Sequence, residues 1–440
     1  MPYGDQLALK QRSMEDLFAD WAPQGAVRPI LGMDDPFHYR NKVTSPFAPG
    51  RRIDPAESRG RSCRAYGRDG RTAGKGKAAR AAAPRHEILT GMYAAHSHRL
   101  VPTDACLLEN QQAKAVIAAV RDLMPRFGLL PYREDAHAGF VRHAVVRVGH
   151  ESGEVLVTLV TNGKEFPGSR AFCRELVRRC PFVTTVVQNV NLRQTNVILG
   201  EEERTLYGPG FILDTLCGLS FRISSHSFYQ VNAVQTEVLY RQAMELAGLA
   251  GTQTVVDAYC GTGTIGLVAA KSGAARVIGV DNVASAVRDA RQNARHNGVA
   301  NAEFVAADAG DFMCALAAQK SGCTPAADAE SATALAPAVD IAGTPVPAPD
   351  VPTPAGDLVL FMDPPRAGAS EAFLDAACAL APERIVYISC NPETQVRDVA
   401  RLARAGYEVR AVQPVDMFPH TSHIESIALI VRGKSKEASS

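Results

Sequence analysis

The chain has 440 residues, a net charge of +1 and a 46% share of hydrophobic residues, which together are typical of a globular protein with two or three domains. No stretch reaches the roughly 18 apolar residues that a membrane-spanning helix needs, and the first residues lack the pattern of a secretory signal. The ten cysteines follow no regular spacing, so we expect free thiols and a cytoplasmic location rather than a disulfide framework.

The N-terminal part is predicted to be a segment that leads into a central domain, followed by a basic insert. The leading segment covers residues 1–50. The insert, residues 51–85, is rich in Arg, Gly and Ala and holds eleven Lys and Arg against three Asp and Glu. It has few apolar anchors, so it is either a solvated, disordered insert or a non-specific contact for phosphates.

Residues 86–226 are predicted to form a central α+β domain. Apolar residues at helical spacing indicate helices, and alternating runs on either side of a glycine-containing turn indicate paired strands. The predicted helices cover 107–127 and 169–179, and the predicted strands cover 143–148, 154–161 and 182–198.

Residues 227–436 are predicted to form a doubly wound α/β domain of the Rossmann type, because short apolar runs alternate with helical patterns. In such sheets ligands bind at the carboxyl ends of the strands. Residues 321–356 are rich in Ala, Pro and Thr, with seven prolines, and are predicted to be a disordered insert. The predicted strands cover 254–258, 276–280, 303–306, 358–362, 385–389, 409–415 and 424–431.

The first strand of this domain runs into a glycine loop and a helix over residues 254–266. Its glycines fit the nucleotide-binding spacing G-x-G-x-x-G and allow a tight turn close to a ligand. Asp281 ends the second strand, where a carboxylate can bind both ribose hydroxyls of NAD or of S-adenosylmethionine. Asp308 ends the third strand and could bind an adenine amino group. Either aspartate could instead cap the helix that follows it.

Two further motifs follow the fourth and fifth strands. In the Asp-Pro-Pro-Arg motif at 363–366, Arg366 takes the place where methyltransferases that act on amines carry an aromatic residue, which favours a site for a carbonyl or an anion. The Ser-Cys-Asn-Pro motif at 389–392 places Cys390 at a strand end, where a nearby positive charge such as that of Arg366 would favour its thiolate. Glu425, in the last strand, is a candidate general base.

A cysteine nucleophile and a base suit methylation of C5 in uracil. That carbon is too weak a nucleophile by itself, but thiolate addition at C6 converts the ring into an enolate that can take a methyl group. A base must then remove the C5 proton before the thiolate can leave. The target uracil must also be accessible to the enzyme, either in a single strand or flipped out of its stack.

These motifs resemble, in the same order, those of the RNA uracil-C5 methyltransferases that act on 23S rRNA or on the T-loop uridine of tRNA. The resemblance implies S-adenosylmethionine as cofactor, RNA as partner, Cys390 as nucleophile and Glu425 as the base that removes the C5 proton. The matching stretches are 227–232, 257–266, 363–366, 389–392 and 423–425. The cofactor contacts that the resemblance implies are Gln230, Tyr259, Asp281, Asp308 and Asp363.

The sequence departs from the family pattern at its start. Many members open with a small RNA-binding β-barrel of the TRAM type, followed by cysteines that hold a [4Fe–4S] centre. Here the first cysteine is Cys63, and Cys106 alone matches a cluster position. Because such a cluster needs four thiolates, we expect a short or truncated member without an iron–sulfur centre. No other metal, membrane or obligate protein partner is expected.

The region around Cys106 looks more like the ribosomal branch, so 23S rRNA is favoured over tRNA as substrate. Three other functions stay open. An NAD-dependent oxidoreductase would leave the motifs at 363–366 and 389–392 unexplained, and a catalytically silent RNA-binding protein would not need Cys390 and Glu425. An amine or cytosine methyltransferase would differ in its product, because the methyl group would not lie on uridine. A cytosine enzyme would also carry its cysteine beside proline in a different loop.

Overall fold

A computed structural model describes residues 1–52, 86–320 and 357–433. Apart from its first two residues, the predicted basic insert at 51–85 lies outside these residues, as does the whole predicted insert at 321–356.

The chain forms two compact units, which differ from the predicted division. The central unit consists of Lys42–Val148 and Glu154–Ile212, and the other unit combines Met1–Asn41, Gly149–Gly153 and the chain from Leu213 onwards. The N-terminal segment, expected to lead into the central domain, therefore packs with the C-terminal part of the chain.

The first helix explains this assignment. Helix α1 (Tyr3–Phe18) buries Met14 and Phe18 in the same core cluster as the C-terminal sheet. The Nζ of its Lys10, also buried, donates to Oδ1 of Asp416 at 2.7 Å. Sequence patterns could not reveal this pairing, because the two residues are 406 positions apart.

The central unit is one mixed sheet with helices packed on it. Within its described residues the strand order is β3-β2-β1-β4-β5-β6-β7, with β5 and β6 parallel and the other neighbours antiparallel. Its elements are β1 (Lys42–Arg52), β2 (His86–Tyr93), β3 (Leu100–Pro102), α2 (Gln111–Leu123), β4 (Val141–Val148), β5 (Val155–Thr161), α3 (Ser169–Arg179), β6 (Val183–Val190) and β7 (Glu202–Tyr207).

Two predicted elements of this unit are longer than the observed ones. The helix predicted from residue 107 begins at Gln111, because Oδ1 of Asn110 accepts the backbone N–H groups of Gln112 (2.9 Å) and Ala113 (3.3 Å) and so caps it. The strand predicted over 182–198 ends at Val190, after which the chain is irregular.

The other unit carries a sheet with helices on both sides. A hairpin, β8 (Ile212–Leu216) and β9 (Leu219–Ile223), precedes it. Its strands are β10 (Thr254–Ala258), β11 (Arg276–Asp281), β12 (Ala302–Ala306), β13 (Leu358–Met362), β14 (Arg384–Ser389), β15 (Tyr407–Val415) and β16 (Glu425–Arg432). Its further helices are α4 (Ala233–Ala247), α5 (Thr264–Lys271), α6 (Ala284–His296), α7 (Ala309–Lys320), α8 (Glu371–Leu380) and α9 (Pro392–Arg404).

The strand order of this sheet is β12-β11-β10-β13-β14-β16-β15. From β12 to β14 neighbouring strands are parallel, and β16 is antiparallel to both of its neighbours. The order reverses between β10 and β13, so a ligand crevice is expected at the carboxyl ends of these two strands. The predicted doubly wound Rossmann-like fold is therefore confirmed.

None of the helices in the described ranges combines the length and the apolar character that a bilayer crossing requires.

Candidate active site

The glycine loop after β10 is anchored by a buried carboxylate. Oδ2 of Asp257 accepts the backbone N–H of Gly266 at 2.8 Å, which fixes the start of α5. Its Oδ1 is buried and has no hydrogen-bond partner among the described residues. Burial raises the pKa of Asp257 to about 8, the Gly266 N–H opposes this shift, and the charges of Asp363 and Asp281 add to it. The glycine loop is therefore anchored on a buried carboxyl group with one oxygen that has no partner among the described residues.

Gly261 and Gly263 give this loop its shape. Their φ angles of 54° and 81° lie in the left-handed region that favours glycine. Tyr259, just before them, adopts φ 67° although it is not a glycine, and its ring lies 5.4 Å from that of Phe373. This strained backbone directs the Tyr259 side chain away from the course of β10.

Asp281 and Asp308 both hold backbone N–H groups. The two oxygens of Asp281 accept from Gly261 (2.9 Å) and from Val283 (2.8 Å). Oδ1 of Asp308 accepts from Gly310 (2.8 Å) and more weakly from the next residue. Asp308 therefore shapes the start of α7, as the helix-cap alternative expected. Asp281 instead holds the glycine loop and the residue before α6, and it does not cap that helix. Each carboxylate oxygen has a further lone pair, so ligand contact stays a prediction.

Gln230 lies on the segment before α4 and is half-buried. Its carbonyl accepts the side-chain N–H of Asn41 at 3.1 Å. Two residues earlier, the carbonyl of Phe228 accepts the hydroxyl of Thr262 at 3.5 Å. The second bond joins the segment to the glycine loop, and the contact of Gln230 with a cofactor stays a prediction.

The register of β14 and β16 brings Cys390 and Glu425 together. Ser389 pairs with Ser426 in this antiparallel ladder, so the residue after Ser389 faces the residue before Ser426. Cys390 directly follows the last pair of this ladder, and it lies close enough to Glu425 for the charge of that carboxylate to act on its thiol. Because β16 runs against the parallel strands, its first residue, Glu425, lies at the edge where they end.

These two side chains share an acidic setting with Asp363. Burial, followed by the charge of Asp363, raises the pKa of Glu425 well above its usual range. Burial also raises the pKa of Asp363 to about 7. The pKa of the half-buried Cys390 thiol is raised by burial first and then by the charges of Glu425 and Asp363.

Arg366 contributes less to the thiol than the sequence suggested. Its charge does lower the pKa of Cys390, but this effect is smaller than those of burial and of the two carboxylates. Its backbone carbonyl accepts hydrogen bonds from Nδ2 of Asn391 (3.1 Å) and from Oγ1 of Thr394 (3.3 Å). These bonds tie the loop after β13 to the loop that carries Cys390.

A buried network that sequence reasoning missed joins the strands of Cys390 and Glu425. Gln395 in α9 and Ser426 in β16 are both fully buried. The Ser426 hydroxyl donates to Oε1 of Gln395 at 2.5 Å, and Nε2 of Gln395 donates to the carbonyl of Tyr387 at 2.8 Å. An amide on the buried face of α9 was the available signal, but its partners depend on the tertiary fold.

A second missed residue is Asp398. Its Oδ2 accepts the hydroxyl of Tyr387 at 2.7 Å and the backbone N–H of Ala369 at 2.9 Å. It therefore holds the chain that follows the Asp-Pro-Pro-Arg motif against β14. In the described part of the chain, no group of three or more His, Cys, Asp or Glu side chains is arranged to hold a metal ion.

Two family profiles match the unit that carries this site. Residues 250–322 match a profile described as a methyltransferase domain. Residues 357–433 match one described as tRNA (uracil-5-)-methyltransferase. The second match includes Asp363, Cys390 and Glu425.

Curated relatives match over nearly the whole chain. A protein of Halalkalibacterium halodurans, named an uncharacterized RNA methyltransferase, is 37% identical over 98% of this chain and 79% of its own length. A protein of Enterococcus faecalis with the same description is 36% identical over 98% of this chain and 80% of its own length.

A solved structure has a similar fold. It is the tRNA (uracil-54, C5)-methyltransferase of Pyrococcus abyssi in complex with S-adenosyl-L-homocysteine. It is 23% identical, with a TM-score of 0.67 over 98% of this chain and 84% of its own. At this identity the likeness concerns the fold.

Proposed function

Because the chain belongs to the uracil-5 family of S-adenosylmethionine-dependent RNA methyltransferases, we propose that it methylates C5 of a uridine in 23S rRNA, with Cys390 as covalent nucleophile and Glu425 as base. The observation that carries this proposal is the register of β14 and β16, in which the residue after Ser389 faces the residue before Ser426. A nucleophile and a base for one small ring must lie this close together.

The carboxyl groups around the glycine loop fit a cationic methyl donor. S-Adenosylmethionine carries a positive sulfonium and a positive ammonium group. Asp257 has a buried oxygen without a partner among the described residues. Burial raises the pKa of Asp363, and burial followed by the charge of Asp363 raises that of Glu425. A bound cation would stabilise the ionised forms of these groups. The side chains proposed to hold the donor are Gln230, Tyr259, Asp281, Asp308 and Asp363.

The reaction uses the residues in a fixed order. After its proton has passed to solvent, the Cys390 thiolate forms a bond to C6 of the uracil, and the electron pair moves to C5 and O4. When bound, S-adenosylmethionine supplies an electrophilic methyl group, which C5 accepts. Glu425 then takes the C5 proton, the C5–C6 double bond re-forms, and Cys390 leaves as a thiolate. Glu425 returns the proton to solvent.

The choice of 23S rRNA rests on the segment around Cys106, which resembles the ribosomal branch. The second candidate substrate is the T-loop uridine of tRNA. One observation favours it: the profile that matches residues 357–433 is described by that activity. Both substrates use the same chemistry at Cys390 and Glu425, so an experiment must separate them.

The test is covalent trapping on RNA that contains 5-fluorouridine. The full-length protein is incubated with S-adenosylmethionine and with either a 23S rRNA transcript or a tRNA transcript. Fluorine at C5 cannot leave as a proton does, so the methylated adduct should persist on a denaturing gel. We expect an adduct with the 23S transcript, mapped to Cys390 by mass spectrometry and absent from Cys390→Ala.

The matched variant Glu425→Gln probes the base. It should form an adduct with ordinary uridine RNA as well, because methyl transfer can proceed while removal of the C5 proton cannot. An adduct with the tRNA transcript alone would move the substrate to tRNA. No adduct with either RNA, or an adduct that survives in Cys390→Ala, would contradict the proposal.

A further inference from the structure

The outward face of α3 in the central unit is a row of arginines. The helix buries Phe172 and Leu176 in the core of the unit, and all of its exposed residues are arginines. Arg170, Arg174 and Arg178 follow one another at intervals of four residues, which places them on one side of the helix. The row spans about 12 Å along the helix axis.

One carboxylate lies among these arginines in the described part of the chain. Glu175 accepts bonds from Arg178 at 2.7 and 2.9 Å, from Arg126 at 3.0 Å and from Arg179 at 3.5 Å. The hydrogen bond with Arg178 is the main cause that lowers the pKa of Glu175 to about 2. Three arginines thus contact Glu175, and two more lie on the same helix. We call the five together the α3 arginine surface: Arg126, Arg170, Arg174, Arg178 and Arg179.

Two of these arginines form no ion pair with an acidic side chain among the described residues. Among the described residues, neither Arg170 nor Arg174 has a carboxylate within the 4.0 Å limit of an ion pair. Like charges four residues apart on a helix repel one another and destabilise it. The row therefore opposes the stability of α3 unless an anion binds to it.

We propose that the α3 arginine surface binds the phosphate backbone of the RNA substrate, an inference that rests on the proposed function. The planar guanidinium group pairs with phosphate through two parallel hydrogen bonds. Three arginines in a row can each neutralise one phosphate of an RNA strand. Since no aromatic side chain is exposed on α3, this surface positions the RNA without reading its sequence.

The test is the salt dependence of RNA binding by the full-length protein. An unmodified 23S rRNA transcript is titrated at increasing KCl with the wild type and with Arg170→Gln/Arg174→Gln/Arg178→Gln. Each lost phosphate contact lowers the slope of log K against log[KCl] by about 0.7–0.9, so the slope should fall by about 2. The KM for RNA should rise, while kcat and the affinity for S-adenosylmethionine stay unchanged.

Two controls make the result specific. The variant Arg170→Lys/Arg174→Lys/Arg178→Lys keeps the charges and should keep the wild-type slope. A second variant, Arg404→Gln/Arg410→Gln/Arg432→Gln, removes the same net charge from exposed positions of the other unit and should also keep it. An equal loss of slope in either control would overturn the inference, because the effect would not be a local charge effect.

The failure of this inference is distinguishable from that of the proposed function. If the wild type methylates RNA and the Gln variant keeps both its slope and its KM, the α3 arginine surface does not bind the substrate. If the wild type neither binds nor methylates RNA, both proposals fall.

Discussion

The thiol of Cys390 lies in a setting that opposes its own ionisation. Burial and the charges of Glu425 and Asp363 raise its pKa, and these effects outweigh the opposing ones of a backbone N–H and Arg366. A raised pKa means that the protonated thiol dominates at neutral pH, so reactivity should rise with pH past the usual thiol value of about 8.5. A bound cationic donor would offset part of this repulsion.

Replacement of Arg366 should make this thiol still less reactive. In Arg366→Gln the loss of a positive charge raises the pKa of Cys390 further. The midpoint of the pH dependence of alkylation by iodoacetamide should therefore move to higher pH, and alkylation below that midpoint should slow severalfold. The measurement is the alkylation rate of the Cys390 peptide by mass spectrometry across a pH series. Arg366→Lys keeps the charge and should resemble the wild type; an unchanged midpoint in Arg366→Gln would contradict the prediction.

For single residues, the sequence predicts those that lie at a strand end and have a side chain suited to the reaction. Cys390 was recognisable because a thiol follows a β-rich run and precedes Asn-Pro, and its neighbour Glu425 because the reaction needs a base. The free oxygen of Asp257 was not recognisable, because enclosure by distant residues creates it.

Helix α9 does more than cover the sheet, because it also links the two strands that carry the nucleophile and the base. Gln395 bridges the carbonyl of Tyr387 in β14 and the hydroxyl of Ser426 in β16. Its side chain lies among fully buried groups, so water cannot replace either bond. The distance between Cys390 and Glu425 therefore depends on this amide.

Gln395→Leu should slow removal of the C5 proton more than methyl transfer. The similar-sized apolar side chain leaves a buried carbonyl and a hydroxyl without partners, at a cost of about 1–3 kcal/mol each, and frees β16 to shift. We expect a lower kcat, accumulation of the covalent adduct with ordinary uridine RNA, and unchanged affinity for S-adenosylmethionine. Gel and filter-binding assays measure these quantities.

Ser426→Ala is the matched control for this network. It keeps the bond from Gln395 to Tyr387, so its kinetic effect should be milder. The double variant Gln395→Leu/Ser426→Ala removes the unpaired hydroxyl and should recover part of the lost stability. A lower melting temperature in Gln395→Leu together with a wild-type kcat and no adduct would mean that Gln395 serves stability alone.

Elements whose pattern is local were predictable to within a residue or two. The helix over 169–179 and the strands over 254–258 and 358–362 match the structure at both ends, because turn residues bound each run. The helix predicted from residue 107 was too long, since the cap formed by Asn110 outweighs the apolar rhythm before it. Which unit the N-terminal segment joins is decided by contacts that no window of sequence contains.

At the scale of the whole molecule, one buried ion pair joins α1 to the loop before β16. The side chains of Lys10 and Asp416 are 7% and 0% exposed, and Asp416 also accepts the hydroxyl of Tyr3 at 2.8 Å. Lys10 further donates to the carbonyl of Phe418 at 3.3 Å. The chain that leads into Glu425 is thus held from the opposite end of the sequence.

Lys10→Met should destabilise the protein by about 3–5 kcal/mol, because it leaves the Asp416 carboxylate buried without its cation. The free energy of unfolding in urea, or the melting temperature, measures this effect. The control is Arg28→Met, which breaks the exposed pair with Glu245 at 3.5 Å and should cost less than about 1 kcal/mol. Equal losses in the two variants would show that burial of the Lys10 pair is unimportant.

The same pairing sets the order in which the newly made chain can fold. Domains generally fold as units while the ribosome is still adding residues, and most of the central unit, Lys42–Val148 and Glu154–Ile212, is complete when the chain is half made. Helix α1 is made before the central unit, yet the partner of its Lys10 follows 406 residues later. The unit that carries the site can therefore pair Lys10 with Asp416 only after β15 has been made, so α1 stays without this partner while the central unit can already fold.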